Sequence, residues 1–357
     1  MINTVKKVAT VFFLFTVLLV YSGNDVLADS KKRVFIVHSY EKNHVCGQPQ
    51  HDGAIRAMEE SGWEAGKNLE LAVYYMDTKR KNNTPELIQL QAAKALSEIK
   101  KFKPDVLLTL DDNAFRTVAL PMAGEQLDIV FSGMNGQPEI YNNIKHFMVT
   151  RDQPGNNITG VYEKLHIQEA IRVLSNMLDL KKVLILDDLS PTGKAISVQV
   201  KLELDAAPNE YPLPCDTERR TINSWEEYQA VIHIINSTPE IGAFYLGALL
   251  LKDSSGKTYT AAEIINYTVK HAKKPAIGLN YAFIKMGLIG GASVDFFAMG
   301  YQAGQKAAAI LNGVSPGTLP VDDAQRVALV FNLSRAETLG IKIPDDILLS
   351  ADEVFRK

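Results

Sequence analysis

The chain has 357 residues, 46% of them hydrophobic and 22% charged, with 15 Pro, 23 Gly and two Cys. At roughly 100–200 residues per domain this is enough chain for about two domains with sizeable cores, and it excludes a disordered, collagen-like or low-complexity protein. Two cysteines exclude a disulfide scaffold or a Cys-rich zinc module, and a formal charge of −3 argues against a surface built to hold phosphate backbones, so no nucleic-acid partner is expected.

The N-terminus reads as an export signal. Lys6 and Lys7 form a basic start, the apolar run Val8 to Tyr21 follows, and Val26-Leu27-Ala28 is a small-residue cleavage site. The run is short of the roughly 20 residues that span a bilayer. Residues 1–28 are therefore expected to be a cleaved signal peptide, leaving a periplasmic or otherwise extracytoplasmic protein. Cys46 and Cys215 are read as unpaired thiols, although an oxidising compartment permits a bond between them.

Beyond the signal, strands and helices alternate. Arg33–His38 is a short buried strand, and residues 50–61 have helical spacing closed by Gly62. Leu69–Met76 is a second strand. Thr84 caps a helix whose first turn holds Pro85, and Leu87, Leu90, Leu96, Ile99 and Phe102 fall on one stripe. Strands follow at Val106–Leu110 and Leu127–Phe131, with a helix near Asn113–Leu120 between them. After the turn-rich Asp152–Asn157 the pattern restarts, with strands expected at Lys182–Leu186, around Tyr211–Cys215, and at Ala243–Leu246, Ala276–Gly278 and Leu288–Gly290. Helices open after Pro191 and at Ser224-Trp225, and another spans Ala261–His271. The fold class is α/β, two doubly wound parallel-sheet lobes.

Ligands of open α/β sheets bind outside the carboxyl ends of the strands. In the first half these ends carry Ser39, Tyr40, Asp111, Asp112, Asn113 and Asn135. In the second they carry Asp188, Asn280, Tyr281 and Asp295. Any one of these Asp or Asn residues can serve simply as a helix cap. Together they form two polar edges with few cations, suited to a ligand ammonium, while free N–H groups at helix starts suit a carboxylate. A zwitterion such as an amino acid needs both. The basic run Lys79-Arg80-Lys81 reads as a solvated turn.

Enzyme signatures are missing: there is no G-x-S-x-G, no G-x-x-x-x-G-K-[ST] and no G-x-G-x-x-G. Asp111-Asp112 leaves open a secreted α/β hydrolase that works with an acid/base pair. His38, His44, Cys46 and His51 are metal-ligand types, but their spacing matches no standard zinc site. No cofactor and no metal are expected.

Several segments carry a family likeness over nearly all of the chain after the signal: Glu64–Leu69, Lys103–Val106, Ile129–Phe131, Gly155–Val161 and Gly287–Ala292, with the tail Val330–Leu333, Leu339–Ile341, Pro344 and Ala351–Val354 as the most specific. The chain resembles the periplasmic substrate-binding proteins of ABC transporters, type I fold, in the branch that includes binders of aromatic amino acids. Typical members carry small residues after the third strand. Asp111-Asp112-Asn113, with His38-Ser-Tyr40 and Tyr75–Arg80, instead looks like the sensor regions found in front of histidine kinases. The resemblance implies a monomer with two hinged lobes. They are expected to be residues 32–154 plus about 296–318, and 155–295 plus about 319–357. It also implies a partner, either a membrane ABC permease or a membrane sensor receptor.

Overall fold

A computed structural model describes residues 31–207, 211–247 and 250–356; the expected signal peptide lies outside them. The first lobe is built from β1 (Lys32–His38), α1 (Gly47–Glu60), β2 (Leu69–Tyr75), α2 (Pro85–Phe102), β3 (Val106–Leu110), α3 (Asp112–Ala114), β4 (Asp128–Met134), α4 (Pro138–Ile144) and β5 (Ile158–Tyr162). The second continues with α5 (Ile167–Ser175), β6 (Lys182–Asp188), α6 (Pro191–Asp205), β7 (Asp216–Ile222), α7 (Trp225–Ser237) and β8 (Ile241–Leu246). The small strands β9 (Leu251–Lys252) and β10 (Thr258–Tyr259) come next, then α8 (Ala261–His271), β11 (Ala276–Gly278), α9 (Tyr281–Lys285) and β12 (Gly290–Val294). The chain then runs through α10 (Phe296–Leu311), β13 (Val321–Asp323), β14 (Val327–Asn332), α11 (Leu333–Thr338), α12 (Asp345–Leu349) and β15 (Glu353–Phe355).

Local chemistry sets the boundaries. The Thr84 hydroxyl accepts from the Leu87 amide at 3.3 Å with Pro85 in the first turn, and Lys103 closes α2 in the left-handed conformation, φ 53°. Ser190, Ser224 and Asn280 cap α6, α7 and α9 in the same way.

Strand order places the functional edge. The first sheet runs β13-β5-β4-β3-β1-β2 and the second β11-β8-β6-β7, and the pairings within both are parallel. In each the order reverses once, between β1 and β3 and between β6 and β8. At such a switch the flanking loops leave to opposite faces and open a crevice at the strands' carboxyl ends. A third sheet, β12-β14-β15, flanks the second lobe, with β12 antiparallel to β14.

Three details differ from the expectations. Ile158–Tyr162 pairs with β4, and Val321–Asp323 pairs with it in turn, so residues 158–162 and 321–323 stand in the first sheet, not the second lobe. The strand expected around Tyr211–Cys215 is instead Asp216–Ile222. It is an edge strand paired only with β6, and half-exposed edges tolerate the charges of Glu218, Arg219 and Arg220. The strand expected at Leu288–Gly290 begins at Gly290 and runs to Val294, paired along its length with β14.

Helix α10 lies against α1 with almost no space between backbones. A Cβ on Gly300 would fall 2.0 Å from the Gln50 carbonyl oxygen, and one on Gly53 would fall 2.1 Å from that of Phe297. Backbone cannot yield as a side-chain tip can. Gly300→Ala is expected to destabilise the protein by about 3 kcal/mol, at the upper end for overpacking. Urea unfolding checks this; an unchanged midpoint would mean the two helices are not pinned together.

Candidate functional site

The β1–β3 crevice collects most of the first-lobe residues singled out by the sequence, and gives them different tasks. Ser39 is occupied internally: its hydroxyl donates to the Leu110 carbonyl at 2.8 Å and accepts from the Ala114 amide at 2.7 Å. Asn113 donates to Thr78 Oγ1 at 2.9 Å and accepts from Arg116, while Thr78 donates to the Ser39 carbonyl at 2.7 Å. These bonds tie the loops after β1, β2 and β3 together. Asp112 accepts from the Tyr141 hydroxyl at 2.7 Å and the Gly136 amide at 3.2 Å. All three side chains position the edge.

Asp111 is the exception. It stands just past β3 at φ 64°, ψ 173°, a region essentially reserved for glycine that costs of order 1–3 kcal/mol for other residues. Its amide donates to the Ser132 carbonyl at 2.8 Å. Its Oδ1 accepts from Gln50 Nε2 at 2.9 Å, and Gln50 Oε1 accepts from the Ser132 hydroxyl at 2.7 Å. Its Oδ2 is buried without a hydrogen-bond partner among the described residues.

Two residues outside the sequence-based set complete the cluster. Glu163 follows β5 and is buried; its Oε2 accepts from Asn135 Nδ2 at 2.7 Å. Asp77 turns the chain after β2 with φ 50°, and the tie from Thr78 to Ser39 then swings Lys79 inward, its ammonium 4.1 Å from the centre of the Tyr40 ring. The run read as a solvated turn thus supplies the cation of the crevice. Tyr40 is buried and also packs on His44, ring centres 4.3 Å apart.

Burial governs the charges. It pushes the Asp111 carboxyl up to about 7, an effect opposed by the Lys79 ammonium and the Gln50 bond and reinforced by Asp112. Burial and the neighbouring Asp111 push Glu163 up to about 8, again opposed by Lys79. Burial lowers His38 to about 3, helped by His51. Crowded carboxylates facing one lysine are the setting in which a ligand cation is welcome.

The second lobe meets this edge at Asn280, whose Nδ2 lies 3.9 Å from Cys46 Sγ while its Oδ1 caps α9. The Gln199 amide of α6 donates to the Glu163 carbonyl. Tyr245, near the end of β8, buries a hydroxyl with no partner among the described residues. Three expected residues stand apart. Asp188 accepts from the Ser190 and Leu250 amides and so organises its own loop. Tyr281 and Asp295 line a cavity of about 290 Å3 with Val45, Pro49, Phe297 and Arg326. Asp295 caps α10 and pairs with Arg326 at 3.5 Å.

The cysteines Cys46 and Cys215 are free. His38 and His51 bond each other at 3.0 Å, whereas His44 packs on Tyr40. Among the described residues no group of three or more His, Cys, Asp or Glu is placed to hold a metal ion, and no helix is long and apolar enough to cross a membrane.

Comparison with known proteins matches this architecture. Residues 43–355 fit the family model of the ABC transporter substrate binding protein, and the chain belongs to that family. It has the two-lobed type I binding-protein fold. A tyrosine-binding protein of Clostridioides difficile is 22% identical over 334 residues, 93% of this chain and 87% of that protein. An ABC domain from Streptococcus pneumoniae in complex with L-Trp superposes with a TM-score of 0.69 at 17% identity, covering 91% of this chain and all of that one. A ligand-free, open substrate-binding protein with adhesive properties from Clostridium difficile gives 0.66 at 19% identity, with the same coverage.

The buried carboxylates make stability depend on pH. A carboxyl whose folded pKa is raised binds its proton more tightly when folded, so it favours folding at low pH, and that contribution is lost as pH rises towards the folded value. For Asp111 and Glu163 the window runs from about 4 to about 8. Histidines held neutral act in the opposite sense below about 6.5. The ligand-free protein is therefore expected to lose stability from pH 6.5 to 8, and Asp111→Asn to flatten that slope and raise Tm most at pH 8. Parallel slopes for the two proteins in a thermal-melt series would contradict the buried-carboxyl account.

Proposed function

We propose that the protein is exported, captures an amino acid or similar zwitterion between its two lobes, and presents it to a membrane ABC transporter without transforming it. The observation that carries this reading is the opposed charge at one strand-order switch. Asp111, whose Oδ2 has no partner among the described residues, and buried Glu163 both feel the Lys79 ammonium, which lies over the Tyr40 face. An amino acid has an ammonium for the carboxylates, a carboxylate for the lysine, and a side chain for an aromatic wall. The names of the relatives, a tyrosine-binding protein and a domain holding L-Trp, support an aromatic amino acid.

The family consists of binding proteins. Asp112, the second half of the hydrolase reading's acid pair, is committed to Tyr141 and the Gly136 amide, which supports capture over turnover. The mechanism is a population shift: a ligand bridging both lobes favours the closed form, and a membrane partner recognises that form. The basic, apolar and small-residue pattern of residues 1–28 supports export.

Calorimetric titration of the protein without residues 1–28 with L-tyrosine and L-tryptophan tests the reading. Binding with the amino acid recovered unchanged is expected. Lys79→Met should weaken it by about 10- to 100-fold, the worth of one charge-assisted contact, while leaving tyramine, which lacks the carboxylate, unaffected. Equal affinity of the variant for L-tyrosine would remove Lys79 from the site, and consumption of the amino acid would remove the capture mechanism.

A further inference from the structure

Glu163 stands where the chain first leaves the first lobe, between β5 and α5, and both lobes hold it. On the first-lobe side its amide donates to the Met134 carbonyl at 3.2 Å, and its Oε2 accepts from Asn135 Nδ2 at 2.7 Å. On the second-lobe side its carbonyl accepts from Gln199 Nε2 of α6 at 2.5 Å. A residue has only two soft backbone dihedrals. With amide and carbonyl both tied, those dihedrals are fixed, and the direction of the Glu163 side chain with them.

Helix α6 shapes the rest of this crossing too. Glu203, one turn beyond Gln199, accepts from the Leu165 and Ile167 amides at 2.8 and 2.9 Å and from Gln199 Nε2 at 3.0 Å. His166, between the two amides, is held at φ 57°, ψ 38°. That left-handed conformation is uncommon outside glycine and persists only where the surroundings over-determine it; the Glu203 carboxylate supplies the constraint. Gln199 is buried, and its Oε1 has no partner among the described residues. Its polar contacts there all run through the donor, toward the crossing.

The Glu163 carboxyl faces Asp111 and Asp112 from the loop after β3 and Lys79 from the loop after β2. Its remaining titratable neighbours are Tyr40 and Cys46 after β1, Tyr162 of β5 and Tyr245 of β8, all kept neutral by burial. We propose that Gln199 is a positioning residue of the capture site: from the second lobe it aims the Glu163 carboxylate into the first-lobe cluster, which is complete only when the lobes meet. What Glu163 receives rests on the amino-acid reading; how Gln199 aims it does not.

Gln199→Met, which keeps the side chain's length and removes its donor, tests this in the protein without residues 1–28. The first measurement needs no ligand. A carboxyl raised by burial favours folding at low pH and loses that contribution as pH rises to its folded value, about 8 for Glu163. Released from its aim, Glu163 titrates nearer the ordinary carboxyl range, so the variant's Tm is expected to fall less than the wild type's between about pH 6.5 and about 8. The second is calorimetric titration with L-tyrosine, tyramine and 3-(4-hydroxyphenyl)propionate, which carry both charged groups, the amine alone, or the carboxylate alone. The variant should bind the two amines about tenfold more weakly and the propionate as the wild type does. Gln199→Asn, which draws the amide back by one methylene, is expected to show the same two effects, so the result does not hang on the folding of the methionine variant. Parallel pH slopes would overturn the positioning role, as would equal weakening of all three ligands, which is what a helix that merely packs would give. A flattened slope in a protein that binds none of the three would overturn the amino-acid reading and leave Gln199 its role.

Discussion

Asp111 occupies the place that the rest of the crevice is arranged around. It is the first residue past a central strand, at the point where strand order reverses, in a backbone conformation suited to glycine. Gln50 from α1 and Ser132 from β4 hold it there from two sides. Backbone strain of this kind persists only when the surroundings over-determine it, and here it delivers one carboxylate oxygen, without a partner among the described residues, near Glu163 and Lys79. Strain and charge crowding both burden the site, so a ligand that supplies a positive charge recovers part of that free energy on binding.

The same helix links the site to the lobe crossings. The start of α1 bears Cys46, Gly47 and Gln50, and its body is pinned against α10 at Gly53 and Gly300. Helix α10 begins at Asp295, where the chain returns from the second lobe, and Asp295 pairs with Arg326, just past the third crossing. The first crossing begins at Glu163, itself a member of the buried cluster. The start of α1 and Glu163 are thus both in contact with elements of the second lobe. Asn280, set against Cys46, is the second-lobe side of that contact.

Much of this was legible in the sequence because parallel strands buried on both faces announce themselves as short apolar runs, and their polar ends mark the sheet's functional edge. Ser39, Tyr40, Asp111, Asp112, Asn113 and Asn135 follow from that rule, although spacing cannot tell a carboxylate taken up by Tyr141 and Gly136, as in Asp112, from one that keeps an oxygen without a partner among the described residues, as in Asp111. Glu163 falls outside that set because the turn-rich Asp152–Asn157 reads as the crossover, which puts residue 163 in the second lobe; with Ile158–Tyr162 in the first sheet, Glu163 is a strand-end residue like the others. Lys79 was missed because a short basic run is indistinguishable from a solvated turn until Thr78 is seen tied to Ser39. The edge strand Asp216–Ile222 was hidden by its own charges. Tyr281 and Asp295 also stand at element ends, where they line a cavity with Val45 and Pro49 beside the start of α1.

The central claim is that both lobes close on one small zwitterion. Small-angle X-ray scattering of the protein without residues 1–28, with and without saturating L-tyrosine or L-tryptophan, tests it most directly. The account predicts a smaller radius of gyration with the amino acid than without. Scattering curves that superpose while calorimetry on the same samples shows the amino acid bound would contradict it.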